Sequence, residues 1–369
     1  MQKQTFTNAN QQADWSALNP SFFSPTPNLH NPKKTMKKFS TFALLSCVLL
    51  LATSFSASAR IRRVNNTGVA AVTNILYTDF VSAHTAAANG DTIMVEPSGT
   101  SYGALDCSKR LIVLGPGYFL GSGFNPGLQA NPATASFNTF SPIPGSQNSV
   151  VAGLTIATVY LQTDNITIQR CYITNALYFY GQSYTMNNCN IRQNYIANMA
   201  NYYPYYSASN LLVTNNIISS VSFPASYNGE FTNNVVLGGA NFDFFNVRNN
   251  YFAGAFATAS NIHSYNATAQ TAVSQPGFTA GNNSQTNVAQ ANVFVLAPTA
   301  PGQFDAWYQL KTGANALRAT GQAGTDIGAF GGNAPYKLSG LPAIPAIYQY
   351  TQSVNGNTLN VNLSTRSNN

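Results

Sequence analysis

Between residues 150 and 254 one short pattern of apolar and polar positions returns five times. Residues 165–173 read NITIQRCYI, 184–191 YTMNNCNI, 212–218 LVTNNII, 231–236 FTNNVV and 247–252 VRNNYF. Aligned, each places an apolar side chain (Ile168, Met186, Val213, Phe231, Val247), two mostly polar residues, and then Cys171, Cys189, Asn216, Asn234 or Asn250. Two positions on comes a second apolar residue: Ile173, Ile191, Ile218, Val236 or Phe252. The steps along the Cys/Asn column are 18, 27, 18 and 16 residues. A period of about 20 predicts a solenoid, whose repeats cannot bury their apolar faces alone and must stack. Val, Ile, Thr, Tyr and Phe fill the repeats in short runs broken by Asn, Gly and Ser, which is strand and turn chemistry. No run has the 3.6-residue period of a helix. Parallel strands wound into coils follow, with a rise of about 4.8 Å per coil.

The Asn column reads as an internal seam. Asn accepts the left-handed backbone a tight bend needs. Stacked coil over coil, its amide can donate to one neighbour and accept from the next, at a net gain of roughly 1 kcal/mol per bond. Cys171 and Cys189 then share a column one coil apart, as stacked thiols rather than a bridge. The 27-residue step reads as one coil plus an inserted loop at 201–210, NYYPYYSASN. A second register, through Asn194, gives steps of 23 and 22 and stays open.

This pattern resembles the right-handed parallel β-helix of the pectin-lyase-like superfamily, and also uncharacterised secreted Bacteroidota proteins of that fold. The resemblance covers residues 60–335. It implies an all-β fold: a right-handed parallel β-helix solenoid of about ten or more coils, with an N-terminal capping helix and a C-terminal strand tail over 336–369. The capping helix is expected at 78–88 (TDFVSAHTAAA), with Thr78 as N-cap, Asp79 in the first turn, and Phe80, Val81, His84 and Ala88 on one face. His84 is expected to pack in that cap. Strands are expected at 60–64 and 91–96, and further rungs at 111–114 and 150–156. Residues 124–148 read as an irregular insertion, and 267–291 as irregular or interrupted coils. Residues 308–332 resemble the closing segment of such proteins, with Asp326 capping a turn. The tail alternates apolar and polar residues around Asn355-Gly356-Asn357, as a hairpin does, and is expected to pack on the solenoid end or to serve as an attachment or secretion signal.

Ahead of the solenoid, residues 1–35 are polar and rich in Asn, Gln, Ser and Pro, and read as disordered. Residues 36–59 read as a signal peptide: Met36-Lys37-Lys38, an apolar core at 43–52, and a small-residue end at Ala57-Ser58-Ala59. Met36 is therefore expected to be the true start, with 1–35 an upstream mis-annotation. Apolar residues follow Cys47, which disfavours a lipoprotein reading. Cleavage after Ala59 would leave no transmembrane segment, and the protein is expected outside the cell or on its surface. Residues 60–369 carry 12 Lys and Arg against 9 Asp and Glu, a net of +3 where the whole chain has +7. That removes the case for nucleic acid binding. Three cysteines remain, Cys107, Cys171 and Cys189, and their disulfide status is open.

Candidate chemistry is sparse. A calcium-dependent lyase needs grouped carboxylates and a base, and a polygalacturonase-type hydrolase needs grouped Asp. Residues 60–369 hold seven Asp, none closely spaced, and two Glu, Glu96 and Glu230. Residues 239–245 (GANFDFF) faintly resemble an esterase motif, but Ser183 stands where a second Asp is needed. Arg192, Glu230, Asp243 and Arg248 are the weak catalytic candidates. No metal site and no cofactor are expected, since His84 and His263 stand alone. The tyrosines lead elsewhere. Tyr178, Phe179, Tyr180 and Tyr184 cluster, and Tyr202, Tyr203, Tyr205 and Tyr206 flank Pro204. Tyr pairs a flat apolar face with a polar tip, which suits a sugar ring. Tyr202, Tyr203, Tyr205 and Tyr206 are the candidate contacts for a polysaccharide or cell-surface glycan. A polysaccharide lyase or hydrolase is the alternative, and a non-catalytic structural or adhesive protein the third. Sugar identity and oligomeric state stay open.

Overall fold

The computed structural model describes residues 59–121, 128–181, 185–203, 206–257, 260–275, 277–296 and 304–368. The expectations for residues 1–58, and those for Ser183, Tyr184 and Tyr205, lie outside the described residues. The rest is a parallel β-solenoid of about 9 turns, rather than ten or more. The turns build two 11-stranded sheets, and two of those turns give sheet two a second short strand, Ala240–Asn241 and Phe256–Ala257. Along sheet one run Ile61–Val64, Thr92–Val95, Ile112–Leu114, Val150–Ala152, Thr167–Gln169, Asn190–Arg192, Ala208–Thr214, Tyr227–Thr232, Phe245–Arg248 and Ile262–Ser264, with Leu76–Tyr77 at its edge. Sheet two runs from Ala104–Cys107 through Ser136–Pro142, Thr155–Leu161, Tyr172–Phe179, Tyr195–Asn201 and Ile217–Ser222 to Val235–Val236, Tyr251–Phe252 and Ala267–Thr268. The strand Ser136–Pro142 lies inside the stretch expected to be irregular, and it fills the rung between Ala104–Cys107 and Thr155–Leu161.

Period-two alternation sends every second side chain inward. One core column in sheet one is Val151, Ile168, Ile191, Val213, Phe231 and Val247, all at zero exposure. Helix α1 (Phe80–Ala86) closes the N-terminal end: Phe80 meets Phe137 edge-on at 5.1 Å, and Ala83 is buried beside it. Its N-cap is Asp79, whose carboxylate accepts Ser82 N–H at 2.7 Å, not Thr78. Val81 is exposed, so the buried face is Phe80, Ala83 and His84. His84 Nε2 accepts Ser108 N–H at 3.2 Å, in the cap role expected of it.

The bend from sheet one to sheet two carries the seam. Asn194, Asn216, Asn234, Asn250 and Asn266 stack there at zero exposure. Each Nδ2 donates to the next Oδ1 at 3.0 Å from Asn194 through Asn250. Each backbone N–H donates to that same oxygen at 2.8 to 3.0 Å. The second Nδ2 hydrogen goes to a carbonyl of a neighbouring coil, such as Val213 O for Asn234. Cys171 N–H donates into the first Asn, and Asn266 N–H donates out to Ser284 Oγ. The register through Asn194 is therefore the one adopted. Met186 and Cys189 leave the alignment, replaced by Ile191 and Asn194, so the 27-residue step gives way to two long coils of 23 and 22 residues. Cys189 stands one residue ahead of Asn190–Arg192, at the bend into sheet one, so it does not stack on Cys171. All three thiols are buried and free.

The residue before each seam position takes the left-handed conformation: Gly153, Arg170, Gln193, Asn215, Asn233, Asn249 and Tyr265 have φ between 52° and 71°. The Asn doublets thus divide the work, the first turning the chain and the second filling the ladder. A second run of left-handed asparagines, Asn148, Asn165, Asn188 and Asn210, marks the bend into sheet one. There Asn188 and Asn210 donate from Nδ2 to the preceding Oδ1 at 3.1 and 2.7 Å.

Residues 304–342 run back along the seam bend. Arg170 Nη1 donates to Leu341 O, Gln193 to Ala334 O and Pro335 O, Asn215 to Ala329 O and Gly331 O, and Asn233 to Asp326 O. A second apolar core forms beneath, where Tyr195, Ile217, Val235 and Tyr251 meet Leu317, Ile327, Ala329 and Tyr336. Asp326 caps a turn as expected, its Oδ1 accepting Ala319 N–H at 2.9 Å. The tail is an antiparallel hairpin, Ala346–Asn355 with Thr358–Arg366. Among the described residues its base is tied down by Ala130 N–H to Ile347 O and Arg366 to Leu128 O; its strands are mostly exposed instead of packed on the solenoid end.

Asn234→Ala leaves two buried donors, Asn216 N–H and one hydrogen of Asn216 Nδ2, without their shared acceptor. At about 1–3 kcal/mol for each, the expected loss is about 2–6 kcal/mol. Asn175→Ala, on the open face of sheet two, is expected to change stability by less than about 1 kcal/mol. Urea unfolding of the two variants against the parent measures both; equal losses would show that the ladder adds nothing special.

Candidate functional site

The two sheets present different outer faces. Sheet one holds the weak catalytic candidates. Glu230 and Arg248 occupy adjacent rungs and form an ion pair, Nη2 to Oε2 at 2.6 Å, each about one third exposed. Asn246 Nδ2 adds a bond to Glu230 Oε1 at 3.1 Å. Arg192 shares the outward column of Arg248 but stands three rungs away, about 14 Å at the spacing of parallel strands. Its Nε donates to Gln169 Oε1 at 2.8 Å. Asp243 sits ahead of Phe245–Arg248, where its Oδ1 accepts Ser260 N–H at 3.0 Å. The four candidates therefore do not converge. A carboxylate paired with a guanidinium at a half-exposed site is a surface ion pair, worth about 0–1 kcal/mol. Among the described residues no three His, Cys, Asp or Glu side chains group to hold a metal ion.

Near the N-terminal end of sheet one lies an open groove of about 610 Å³. Met94, Leu114, Pro116, Ile347 and Tyr350 line it, and the Arg63–Glu96 ion pair marks its rim. None of the residues singled out in the sequence reaches it.

Sheet two holds the tyrosines. Tyr160 and Tyr178 point outward from adjacent rungs and stack at 5.6 Å with an interplanar angle of 18°. Tyr202 stands edge-on to both, at 5.8 and 5.3 Å. Tyr180 packs on Tyr202 at 4.7 Å and on Tyr203 at 5.0 Å, and Tyr203 meets Tyr206 at 6.2 Å. The hydroxyls of Tyr180 and Tyr203 bond at 3.2 Å; that bond, with burial and neighbouring phenols, pushes Tyr203 up to about 12. Burial and Tyr202 raise Tyr160 as well. Tyr160 and Tyr203 therefore stay neutral at ordinary pH. Tyr202 is 47% exposed, while the other five are half-buried, so a supported aromatic platform faces solvent. Beside it lies a polar row: Asn175 Nδ2 donates to Thr158 Oγ1 at 3.1 Å, and Ser220 Oγ to Asn198 Oδ1 at 2.9 Å.

Of the four loop tyrosines expected to form a site, Tyr202, Tyr203 and Tyr206 meet in this cluster, and Tyr205 lies outside the described residues. Tyr178 and Tyr180 join them. Tyr160 went unseen in the sequence, because the pairing shifts by one residue between Ile173 and Ala176 and hides its alignment with Tyr178.

No family model matches the chain, and no curated protein matches it. One solved structure it resembles is the crystal structure of pectate lyase Pel9A, at 12% identity and a TM-score of 0.31, covering 74% of this chain and 96% of that one. At that level the likeness says nothing of activity, and the solenoid rests on the strand pairing above.

Two expectations follow from buried titratable groups. Burial pushes the Cys171 and Cys189 thiols up to about 12 and Cys107 up to about 11. Thiolate is the reactive form, so none of the three should alkylate in the native protein at pH 8, and all should react in guanidinium. Mass-resolved iodoacetamide labelling reads this directly. Burial also lowers His263 and His84 below the ordinary 6.5, with Lys109 adding to the effect at His84. Below pH 6.5 the unfolded chain then binds protons that the folded one refuses, so stability is full above that pH and falls as pH drops. A Tm that stays flat from pH 7.5 down to 5 would contradict this, and His263→Leu is expected to shallow the slope.

Proposed function

We propose that the protein is a secreted or cell-surface solenoid that binds polysaccharide on the tyrosine platform of sheet two. The observation that carries this reading is the six-tyrosine cluster held open on a regular β surface. Contiguous exposed aromatic surface on a soluble protein marks an interaction site. Sugar rings offer apolar C–H faces to stack on aromatic rings, and hydroxyls to meet the amides and hydroxyls alongside. A rigid sheet holds those groups in place, which lowers the ordering penalty of binding. The leader-like composition of residues 36–59 and the parallel solenoid support an extracellular setting. The arrangement favours binding over cleavage, because Glu230 is tied to Arg248 and stands apart from Arg192 and Asp243. The tyrosine platform lies on the other sheet.

Tyr178→Ala and Tyr202→Ala are each expected to weaken glycan binding about tenfold or more, the equivalent of 1.4 kcal/mol, with the solenoid's circular dichroism unchanged. Glu230→Gln and Arg248→Ala should leave binding within about twofold. A glycan array followed by titration calorimetry measures both sets. Binding that survives the tyrosine substitutions, or no binding across a broad panel, would sink this reading.

A further inference from the structure

The distribution of charge narrows the ligand. In the strands of sheet two the sole charged residue, among the described residues, is Asp106. Between Arg170 and Glu230 the sequence carries one charged residue, Arg192, and it projects from sheet one. The stretches bearing Tyr178, Tyr180, Tyr202, Tyr203 and Tyr206 contain none. The nearest charge in sequence to Tyr160 is Asp164, whose carboxylate accepts Thr185 Oγ1–H at 2.8 Å and Asn187 N–H at 2.6 Å. The cations carried in the strands of the coils, Arg62, Arg63, Arg192 and Arg248, all belong to sheet one, while Lys109 and Arg170 sit at bends, where they donate to His84 O and to Leu341 O.

An acidic polysaccharide brings a carboxylate or sulfate every residue or two. Pressed against this platform, each would lose water and find no Lys or Arg, which is unfavourable. A bridging divalent cation would need grouped carboxylates, and Asp106 and Asp164 stand singly among the described residues. What the face offers is phenol rings, side-chain amides and hydroxyls, which are donors and acceptors of no net charge. Resting on the binding role proposed above, we infer that the ligand is an uncharged polysaccharide lying across the strands. Its rings stack along Tyr160, Tyr178 and Tyr202, and its hydroxyls meet the Asn175–Thr158 and Asn198–Ser220 row.

Affinity electrophoresis and calorimetry of the full chain test this with neutral probes (arabinoxylan, galactomannan, mixed-linkage β-glucan) and acidic ones (polygalacturonate, alginate, hyaluronan), in chelator. The expected result is binding to a neutral probe and about tenfold weaker binding, or none, to every acidic one. Affinity for the neutral probe should change less than about twofold from 0.01 M to 1 M salt, because no charge pairs are screened. Ser222→Lys, which puts a cation on the exposed surface two rungs from Tyr178, should create salt-sensitive affinity for an acidic probe. Acidic binding that the parent already shows, and that Tyr178→Ala abolishes, would overturn this inference while leaving the tyrosine platform standing. Acidic binding lost in Arg248→Ala but kept in Tyr178→Ala would move the ligand to sheet one and overturn both. Failure of every probe to bind would remove the binding role itself.

Discussion

The buried asparagine ladder from Asn194 to Asn266 is the constraint on which the other features depend. A polar bend inside a solenoid leaves amides and carbonyls out of water, and each unpaired one costs about 1–3 kcal/mol. The ladder removes that penalty by letting every amide serve the coil before it and the coil after it. It also fixes register. A coil shifted by one residue would lose its amide bonds and turn its apolar column to solvent together. Stability in such a stack passes between nearest neighbours, so a fault at Asn234 is felt by the coils of Asn216 and Asn250 first.

The ladder demands a left-handed residue ahead of every member, and that second column decides what happens outside. Its side chains project from the bend, and the strap of residues 304–342 is fastened by Arg170, Gln193, Asn215 and Asn233. The strap in turn buries the first residue after each ladder position, Tyr195, Ile217, Val235 and Tyr251, under a second core. One side of the solenoid is thus closed by its own chain. The remaining outer surface of sheet two, past those residues, is where Tyr160, Tyr178 and Tyr202 stand open.

Much of this was legible in the residues, and the losses have physical causes. The Asn doublets announced a stacked bend, since few other side chains fill a buried turn and satisfy it. The register slipped at one repeat because NCNIRQN holds two overlapping matches, one through Cys189 and one through Asn194. Only strand pairing separates them. Composition did not reveal the left-handed column, because Arg170, Gln193 and Tyr265 take that backbone as well as Asn. The strand Ser136–Pro142 was hidden among Pro, Asn and Ser, where its neighbours above and below, not its own propensity, make it a strand. The tyrosine cluster was half visible: Tyr178, Tyr202 and Tyr203 were marked by their density, Tyr160 was masked by a bulge. The scarcity of charge near them was plain in the sequence. Its meaning needed the assignment of each charged residue to a sheet.

The seam also explains why the platform is where it is. Ladder steps are 23 and 22 residues from Cys171 to Asn216, then 18, 16 and 16 down to Asn266. Yet the bonds across every step have the same length. Extra residues cannot enter at the seam without breaking the ladder, so they enter elsewhere in the coil. The two long coils spend them on strands of eight and seven residues, Tyr172–Phe179 and Tyr195–Asn201, and on the loops that follow. In the short coils sheet two is broken into pairs of two-residue strands, Val235–Val236 with Ala240–Asn241 and Tyr251–Phe252 with Phe256–Ala257. Sheet two is therefore unbroken where Tyr178 stands, and Tyr180, Tyr202 and Tyr203 lie in the loops that take up the extra length. A fixed seam on one edge and free length on the other lets a solenoid change its binding face without disturbing its core. For that reason substitutions on the platform and substitutions in the ladder should separate cleanly into effects on binding and effects on folding.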